Sequence, residues 1–95
     1  MGRMTVRRIE LDGRKMDSRN QAHQHLKEAL GLPEYYGANL DALYDCLGEM
    51  GDVHITLRYG LALLNALGSY GQQIIRVLED SARQRPDLVF VFREQ

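Results

Sequence analysis

The sequence predicts an α/β fold in which a three-stranded parallel sheet packs with four helices in the order β-α-α-β-α-α-β. Short apolar or alternating runs, which are typical of strands, occur near the beginning, in the middle and at the end of the chain. Between them lie longer stretches whose apolar residues recur with helical spacing. Strands joined by such long connections normally pair in parallel through right-handed crossovers, which gives the predicted topology.

The length of 95 residues and the hydrophobic content of 44% predict a single domain over residues 1–95. A chain of this size buries roughly two thirds of its unfolded surface, which is enough for a hydrophobic core without disulfide bonds or structural metal ions. Cys46 is the one cysteine, so no internal disulfide can form, and we expect it to be a small buried side chain. No signal-peptide pattern or membrane-spanning apolar run is present, so a cytoplasmic protein is expected.

The first strand is predicted in residues 4–11, where apolar residues lie among arginines before an Asp-Gly turn. Four cations near its ends form a modest basic patch: Arg7, Arg8, Arg14 and Lys15. Such a patch without interleaved aromatic residues is typical of a solvated edge. No direct contact with nucleic acid is therefore expected.

The first helix is predicted between an Asp-Ser N-cap at residues 17–18 and Gly31, where a left-handed residue would end it. His23 and His25 point about 200° apart on such a helix, so they do not converge on a metal ion. We expect both histidines to be solvated.

The most distinctive stretch is LPEYYGANLDALYDCLGE at residues 32–49. Pro33 cannot continue the first helix, and Gly37 can adopt a positive φ, so an ordered loop is predicted here. Two tyrosines lie on this loop, at positions 35 and 36.

A second helix is predicted to start at Asn39, a good N-cap, and to stop at Gly48. Its apolar residues share one face at helical spacing: Leu40, Leu43, Tyr44 and Leu47. The polar side carries Asp41, Asp45 and Glu49, each four residues from the next, so three carboxylates form one stripe.

The middle of the chain is strongly acidic, although the formal net charge is only −1. Residues 28–57 contain no Lys or Arg but the following acids: Glu28, Glu34, Asp41, Asp45, Glu49 and Asp52. The helix dipole favours Asp41 near the N-terminus and disfavours Asp45 and Glu49 near the other end. The stripe is therefore either a solvated face or a face that a basic partner uses.

The remaining elements follow from periodicity. Residues 53–57 alternate between apolar and polar in a second strand. Gly60 begins a short helix over residues 61–67, and a longer helix covers residues 70–83. The final apolar run at residues 88–92 is continuous, so we expect it to be a central strand buried on both faces.

Residues 32–47 resemble the signature of the barstar family, intracellular inhibitors of the secreted bacterial ribonuclease barnase. The resemblance implies the same topology and a monomeric inhibitor that forms a 1:1 complex with a basic, barnase-like ribonuclease. It also implies the partner-binding positions, which are Tyr35, Tyr36, Gly37, Asn39, Asp41, Tyr44, Asp45, Gly48, Glu49 and Asp80.

The family also implies roles for these positions. The carboxylate of Asp45 would stand where a substrate phosphate sits, among the catalytic cations of the enzyme. Tyr35 would pack against the catalytic histidine, and Asp41 would meet basic residues at the rim. Asp80 aligns with a glutamate of the last family helix.

Several positions depart from the family pattern. Tyr44 replaces a tryptophan, and Gly48-Glu49-Met50 replaces a Thr-Gly-Trp segment. His54 stands at a family proline, and Pro86 at the second family cysteine. These departures indicate a divergent partner.

Two other functions compete with inhibition. An enzyme could use Asp41 and Asp45 as an acid–base pair or as Mg²⁺ or Ca²⁺ ligands. The sequence lacks a phosphate-binding glycine loop and a spaced metal-ligand set, so no enzyme activity, metal site or cofactor is predicted. An immunity protein against a different basic nuclease or toxin stays open, although a generic electrostatic partner has no need of the Tyr-Tyr-Gly loop.

Overall fold

The computed structural model describes residues 6–95. Residues 1–5, which include the start of the predicted first strand, lie outside the described part. The elements follow in this order: β1 (Arg7–Asp12), a 3-10 turn (Gly13–Lys15), α1 (Arg19–Leu30), α2 (Leu40–Gly48), β2 (Val53–Arg58), α3 (Gly60–Leu67), α4 (Ser69–Gln84) and β3 (Leu88–Phe92). The predicted α/β fold, with three parallel strands and four helices, is confirmed.

The sheet has the strand order β1-β2-β3, and both pairs are parallel. In register, Ile55 of β2 lies between Ile9 of β1 and Phe90 of β3. The central strand is therefore β2. The expectation that residues 88–92 form a central strand buried on both faces is wrong, because Val89 and Val91 are 39% and 43% exposed.

The physical reason lies in the topology. When right-handed crossovers step across a sheet in one direction, they place their helices on the same face. The alternation along β2 shows the result: Val53, Ile55 and Leu57 are fully buried, whereas the residues between them are half-buried. An apolar run alone does not reveal on which faces the helices lie.

The core fills the space between the covered sheet face and the helices. Its buried apolar side chains come from every strand and helix, and they are Leu11, Met16, Ala22, Leu26, Leu30, Leu43, Leu47, Val53, Ile55, Leu57, Leu63, Ile74, Leu78 and Leu88. Helix α2 contributes two of them, so its inner face is fixed against the core while its outer face is open. Within residues 6–95, no helix combines the length and the apolar character that a membrane crossing requires.

The helix ends around the distinctive stretch follow the predicted capping. Ser18 Oγ accepts a hydrogen bond from the Gln21 N–H at 3.1 Å, and Asn39 Oδ1 accepts one from the Ala42 N–H at 2.7 Å. Gly31 has φ 67° and ends α1 in the left-handed conformation. The caps at Gly31 and Asn39 determine where the loop between α1 and α2 starts and stops.

Candidate protein-binding site

The loop between α1 and α2 exposes one tyrosine and half-buries the other. The Tyr35 side chain is 83% exposed, whereas Tyr36 packs against the core and its hydroxyl points inward to His23. The Tyr36 N–H donates to the Pro33 carbonyl at 3.0 Å, which closes a turn. The loop therefore presents Tyr35 on a turn that Tyr36 supports from beneath.

The expected positive φ at Gly37 is wrong. Ala38 takes that conformation, with φ 56°, which costs a non-glycine residue about 1–2 kcal/mol. Gly37 matters for space instead, because a Cβ there would lie 3.3 Å from Asn39 Nδ2 and 3.4 Å from Ala42 Cβ. Strain of this kind is often held at functional loops, where the surrounding structure overdetermines it.

The acid stripe of α2 is open to solvent. Asp41, Asp45 and Glu49 are all exposed, and none of them forms an ion pair with any residue in the range 6–95. By contrast, Glu34 on the loop pairs with Lys27 at 3.5 Å. The stripe and Tyr35 lie on consecutive segments of the chain, and both are exposed to solvent.

Tyr44 lies where α2 meets α4. Its side chain is 39% exposed, and its hydroxyl donates to Gln84 Oε1. Asp80 precedes Gln84 by one helical turn and therefore shares its face of α4. The Asp80 carboxylate pairs with Arg83 of its own helix, so it is partly neutralised before any partner binds.

Arg85 supports the end of α2, a role that the sequence did not reveal. Its guanidinium donates to the carbonyl oxygens of Leu47 and Met50 at the end of α2, and it pairs with Asp87 at 3.0 Å. The last carbonyls of a helix lack intrahelical donors and carry the negative end of its dipole. Arg85 therefore offsets part of the cost of placing acids near that end. The Arg85 hydrogen bond lowers the pKa of Asp87.

The end of α2 leaves room on its surface. Gly48 is exposed, and an added Cβ would meet no atom within 4 Å. The Glu49 N–H donates to the Cys46 carbonyl at 3.1 Å, and the Glu49 side chain is exposed. Cys46 is half-buried rather than buried as expected, and burial, followed by the charges of Glu49 and Asp45, raises the pKa of its thiol.

The expectation that both histidines of α1 are solvated is wrong, because His23 is buried and His25 is half-buried. His23 is only 3% exposed, and its Nδ1 and Nε2 atoms each lie 2.6 Å from a hydroxyl, of Tyr36 and Tyr70 respectively. His25 Nε2 accepts a hydrogen bond from the Asp12 N–H at 2.9 Å. Burial lowers the pKa of both histidines. Their partners lie on other elements, which helical periodicity does not predict.

The other cations and potential ligands do not form a second site. Consecutive residues Arg7 and Arg8 of β1 contact different elements: Arg7 donates to a main-chain oxygen of α1, and Arg8 lies 3.4 Å from a His54 ring nitrogen. Arg14 pairs with Asp12 at 3.0 Å. Across the described range 6–95, no group of three or more His, Cys, Asp or Glu side chains could hold a metal ion.

Comparison with known families extends the match well beyond the central motif. Residues 6–93 match the family model described as barstar, the barnase inhibitor. The chain belongs to the barstar family. A curated protein of Bacillus subtilis (strain 168), named "Putative ribonuclease inhibitor YrdF", is 37% identical over 84 residues, which cover 86% of this chain and 92% of the relative. The match to the family therefore covers the sheet and the last helix as well as the loop and α2.

Proposed function

We propose that the chain is a ribonuclease inhibitor rather than an enzyme, and that it blocks the active site of a barnase-type ribonuclease with α2 and the preceding loop. The barstar-family description and the name of the Bacillus relative support the inhibitory role. The mechanism is inferred mainly from the acid stripe. Its carboxylates, at Asp41, Asp45 and Glu49, are exposed and form no ion pair with any residue between 6 and 95.

The chemistry of the target explains why such a stripe inhibits. A ribonuclease attracts RNA phosphates with positive potential, so an acid stripe competes for the same site and is steered to it at low salt. In the proposed complex, Asp45 replaces a substrate phosphate among the catalytic cations of the enzyme, and Asp41 contacts basic residues at the rim. The inhibitor carries no labile phosphodiester, so the enzyme cannot cleave it.

The aromatic residues would supply the apolar part of the interface. Tyr35 can lose most of its exposed surface on binding, and buried aromatic rings commonly dominate interface energies. Tyr44 would form the edge towards α4, beside Asp80. Tyr36 and Asn39 would shape the loop from within, since the Asn39 side chain caps α2 and its Nδ2 also donates to the Gly37 carbonyl.

The test is a titration of barnase-type ribonuclease activity with the wild-type protein and with Asp45→Asn. This variant keeps the size of the side chain and removes its charge. We expect a loss of about 2–5 kcal/mol in binding free energy. This is the general range for breaking a buried, hydrogen-bonded charge pair at a protein interface, and measurements on the barnase–barstar complex contributed to it. The matched control is Glu10→Gln, an exposed acid on β1, which should inhibit like the wild type.

The salt dependence separates charge steering from shape. Measurements at about 50 mM and about 500 mM salt should show weaker inhibition at high salt, because screening shortens the reach of exposed charges. Equal loss in Asp45→Asn and Glu10→Gln would contradict the anchoring role. A folded wild-type protein that leaves the enzyme fully active would refute the barnase-type target and favour an immunity protein for another basic nuclease or toxin.

A further inference from the structure

A chain of three side chains, with the buried His23 at its centre, connects the loop to two helices. Tyr36 lies on the loop, His23 on α1, and Tyr70 in the first turn of α4. The imidazole lies between the two hydroxyls, at 2.6 Å from each. In this Tyr36–His23–Tyr70 chain, the hydrogen bond of the Tyr36 hydroxyl links the loop to the buried His23 side chain.

A neutral imidazole can form both hydrogen bonds of this chain. A neutral imidazole has one N–H donor and one lone pair, so one tyrosine hydroxyl donates to it and the other accepts from it. Burial lowers the pKa of His23 and raises the pKa of the Tyr36 phenol, so both groups are neutral near pH 7. If one hydroxyl is removed, a polar ring atom is left buried without its partner, which is costly.

The groups around the chain come from each neighbouring element. Arg19 lies one turn before His23, and its guanidinium stacks over the Tyr70 ring at 4.1 Å. Asp41 of α2 lines the same surface cleft as Arg19, His23 and Tyr70. Burial, followed by the charge effect of Cys46 on α2, raises the pKa of the Tyr36 phenol. His23 and Tyr70 therefore line a cleft that opens beside Asp41 of the acid stripe.

The loop needs such support. Leu32 packs against the core at the start of the loop, and the Tyr36–Pro33 and Asn39–Gly37 hydrogen bonds are local. The Glu34–Lys27 pair lies at the surface, where an ion pair contributes little. The observed conformation also requires a left-handed backbone at Ala38, which costs free energy in a non-glycine residue. A loop that samples other conformations binds more weakly in proportion to the fraction that is competent.

We propose that His23 and Tyr70 are positioning residues for inhibition, because they hold Tyr36, and with it the turn that carries Tyr35, in the conformation that the ribonuclease recognises. The inference rests on the proposed function. It assigns a role in binding to Tyr70, on α4, and to His23, whose side chain is buried.

The first test removes single hydroxyls. Tyr70→Phe and Tyr36→Phe each delete one oxygen, and Tyr59→Phe is the control, a half-buried tyrosine beside Arg14 and Arg58 at the carboxyl end of β2. We expect Tyr70→Phe to weaken inhibition of a barnase-type ribonuclease about tenfold, which corresponds to about 1.4 kcal/mol. Because the three groups act as one unit, the double variant should lose little more than either single variant.

The second test uses pH. His23→Gln keeps a donor and an acceptor in one side chain but does not titrate. The ratio of wild-type to His23→Gln affinity, taken at each pH, cancels the titration of the enzyme and of the carboxylates in both complexes. We expect this ratio to fall as the pH is lowered below the ordinary histidine pKa of 6.5, since protonation of the buried imidazole removes its lone pair and requires both hydroxyls to accept. Equilibrium unfolding of each variant verifies that the inhibitor is folded under these conditions.

A Tyr70→Phe variant that inhibits like the wild type, or losses that add in the double variant, would overturn the positioning role. If the wild type itself does not inhibit, the proposed function fails instead. Amide hydrogen exchange on the free protein then decides the positioning role alone: the Tyr36 N–H should exchange faster in Tyr70→Phe than in Tyr59→Phe. Equal exchange would refute it.

Discussion

Removal of the Arg85 guanidinium should destabilise the protein and loosen the end of α2. Arg85 follows α4, yet it donates to the Leu47 and Met50 carbonyls, 38 and 35 residues earlier in the chain. Its side chain is only 18% exposed, so water does not readily replace these bonds. Arg85→Ala leaves both carbonyls without this donor and removes a cation from the negative end of the helix.

The expected magnitude follows from the contacts. A hydrogen bond from a charged donor contributes about 1.5–3 kcal/mol, and partial exposure places these two at the lower end or below it. Asp87 is solvent-exposed, so its ion pair with Arg85 adds little. We therefore expect a loss of about 2–3 kcal/mol in the free energy of unfolding. For a domain of this size, that loss corresponds to a decrease of about 10–20 °C in Tm.

Urea unfolding at pH 7 measures this loss, with Arg76→Ala as the control. Arg76 is an exposed arginine of α4, and its replacement should change stability by less than about 0.5 kcal/mol. Arg85→Lys should recover only part of the loss, because an ammonium group lacks the fork that contacts two carbonyls. If Arg85→Ala and Arg76→Ala unfold at the same urea concentration, the capping role of Arg85 is wrong.

The acid branch of the stability curve gives a second readout. The Arg85 hydrogen bond lowers the folded-state pKa of Asp87 below its ordinary value of 3.8. This contribution to stability is present above that value and is lost as the pH falls through the folded-state pKa. Arg85→Ala should therefore show a shallower decline below about pH 4.

Three further variants test the fold. Gly60→Ala should cost about 1–3 kcal/mol in the free energy of unfolding, because a Cβ there would collide with the Phe92 ring; an unchanged urea midpoint would contradict this. Gly48→Ala should add about 0.5–1 kcal/mol, since its Cβ meets open space in a helical segment; a lower midpoint would refute it. Burial lowers the pKa of His23 and His25 below the ordinary value of 6.5, so the unfolded chain takes up protons first as the pH falls. Stability should therefore be full above that value and decline below it. Replacement of both histidines by Gln should flatten this decline in urea unfolding at about pH 8 and about pH 5.5, and an identical slope in both proteins would count against it.

The features that were predicted correctly depend on residues close together in the chain. Ser18 and Asn39 cap helices through bonds to N–H groups three residues later. Gly31 ends α1 through its own φ, and the alternation in residues 53–57 places one face of β2 in the core. The acid stripe of α2 likewise follows from a spacing of four residues.

The wrong predictions depend on contacts between distant elements. Residues 88–92 form an edge strand because of the order in which the crossovers step across the sheet. His23 is buried because Tyr70, 47 residues later, lies against it. Local rules also leave open which of two adjacent loop residues takes the left-handed conformation, and it is Ala38 rather than Gly37.

The sequence by itself determined the fold class, the helix caps and the acid stripe, because capping hydrogen bonds and side-chain periodicity act over three or four residues. Only the tertiary structure decided that Tyr35 is exposed while Tyr36 faces inward, and that Arg85 caps a helix formed far earlier in the chain. Such contacts form where elements meet after folding, and their partners are set by topology and packing rather than by spacing along the chain.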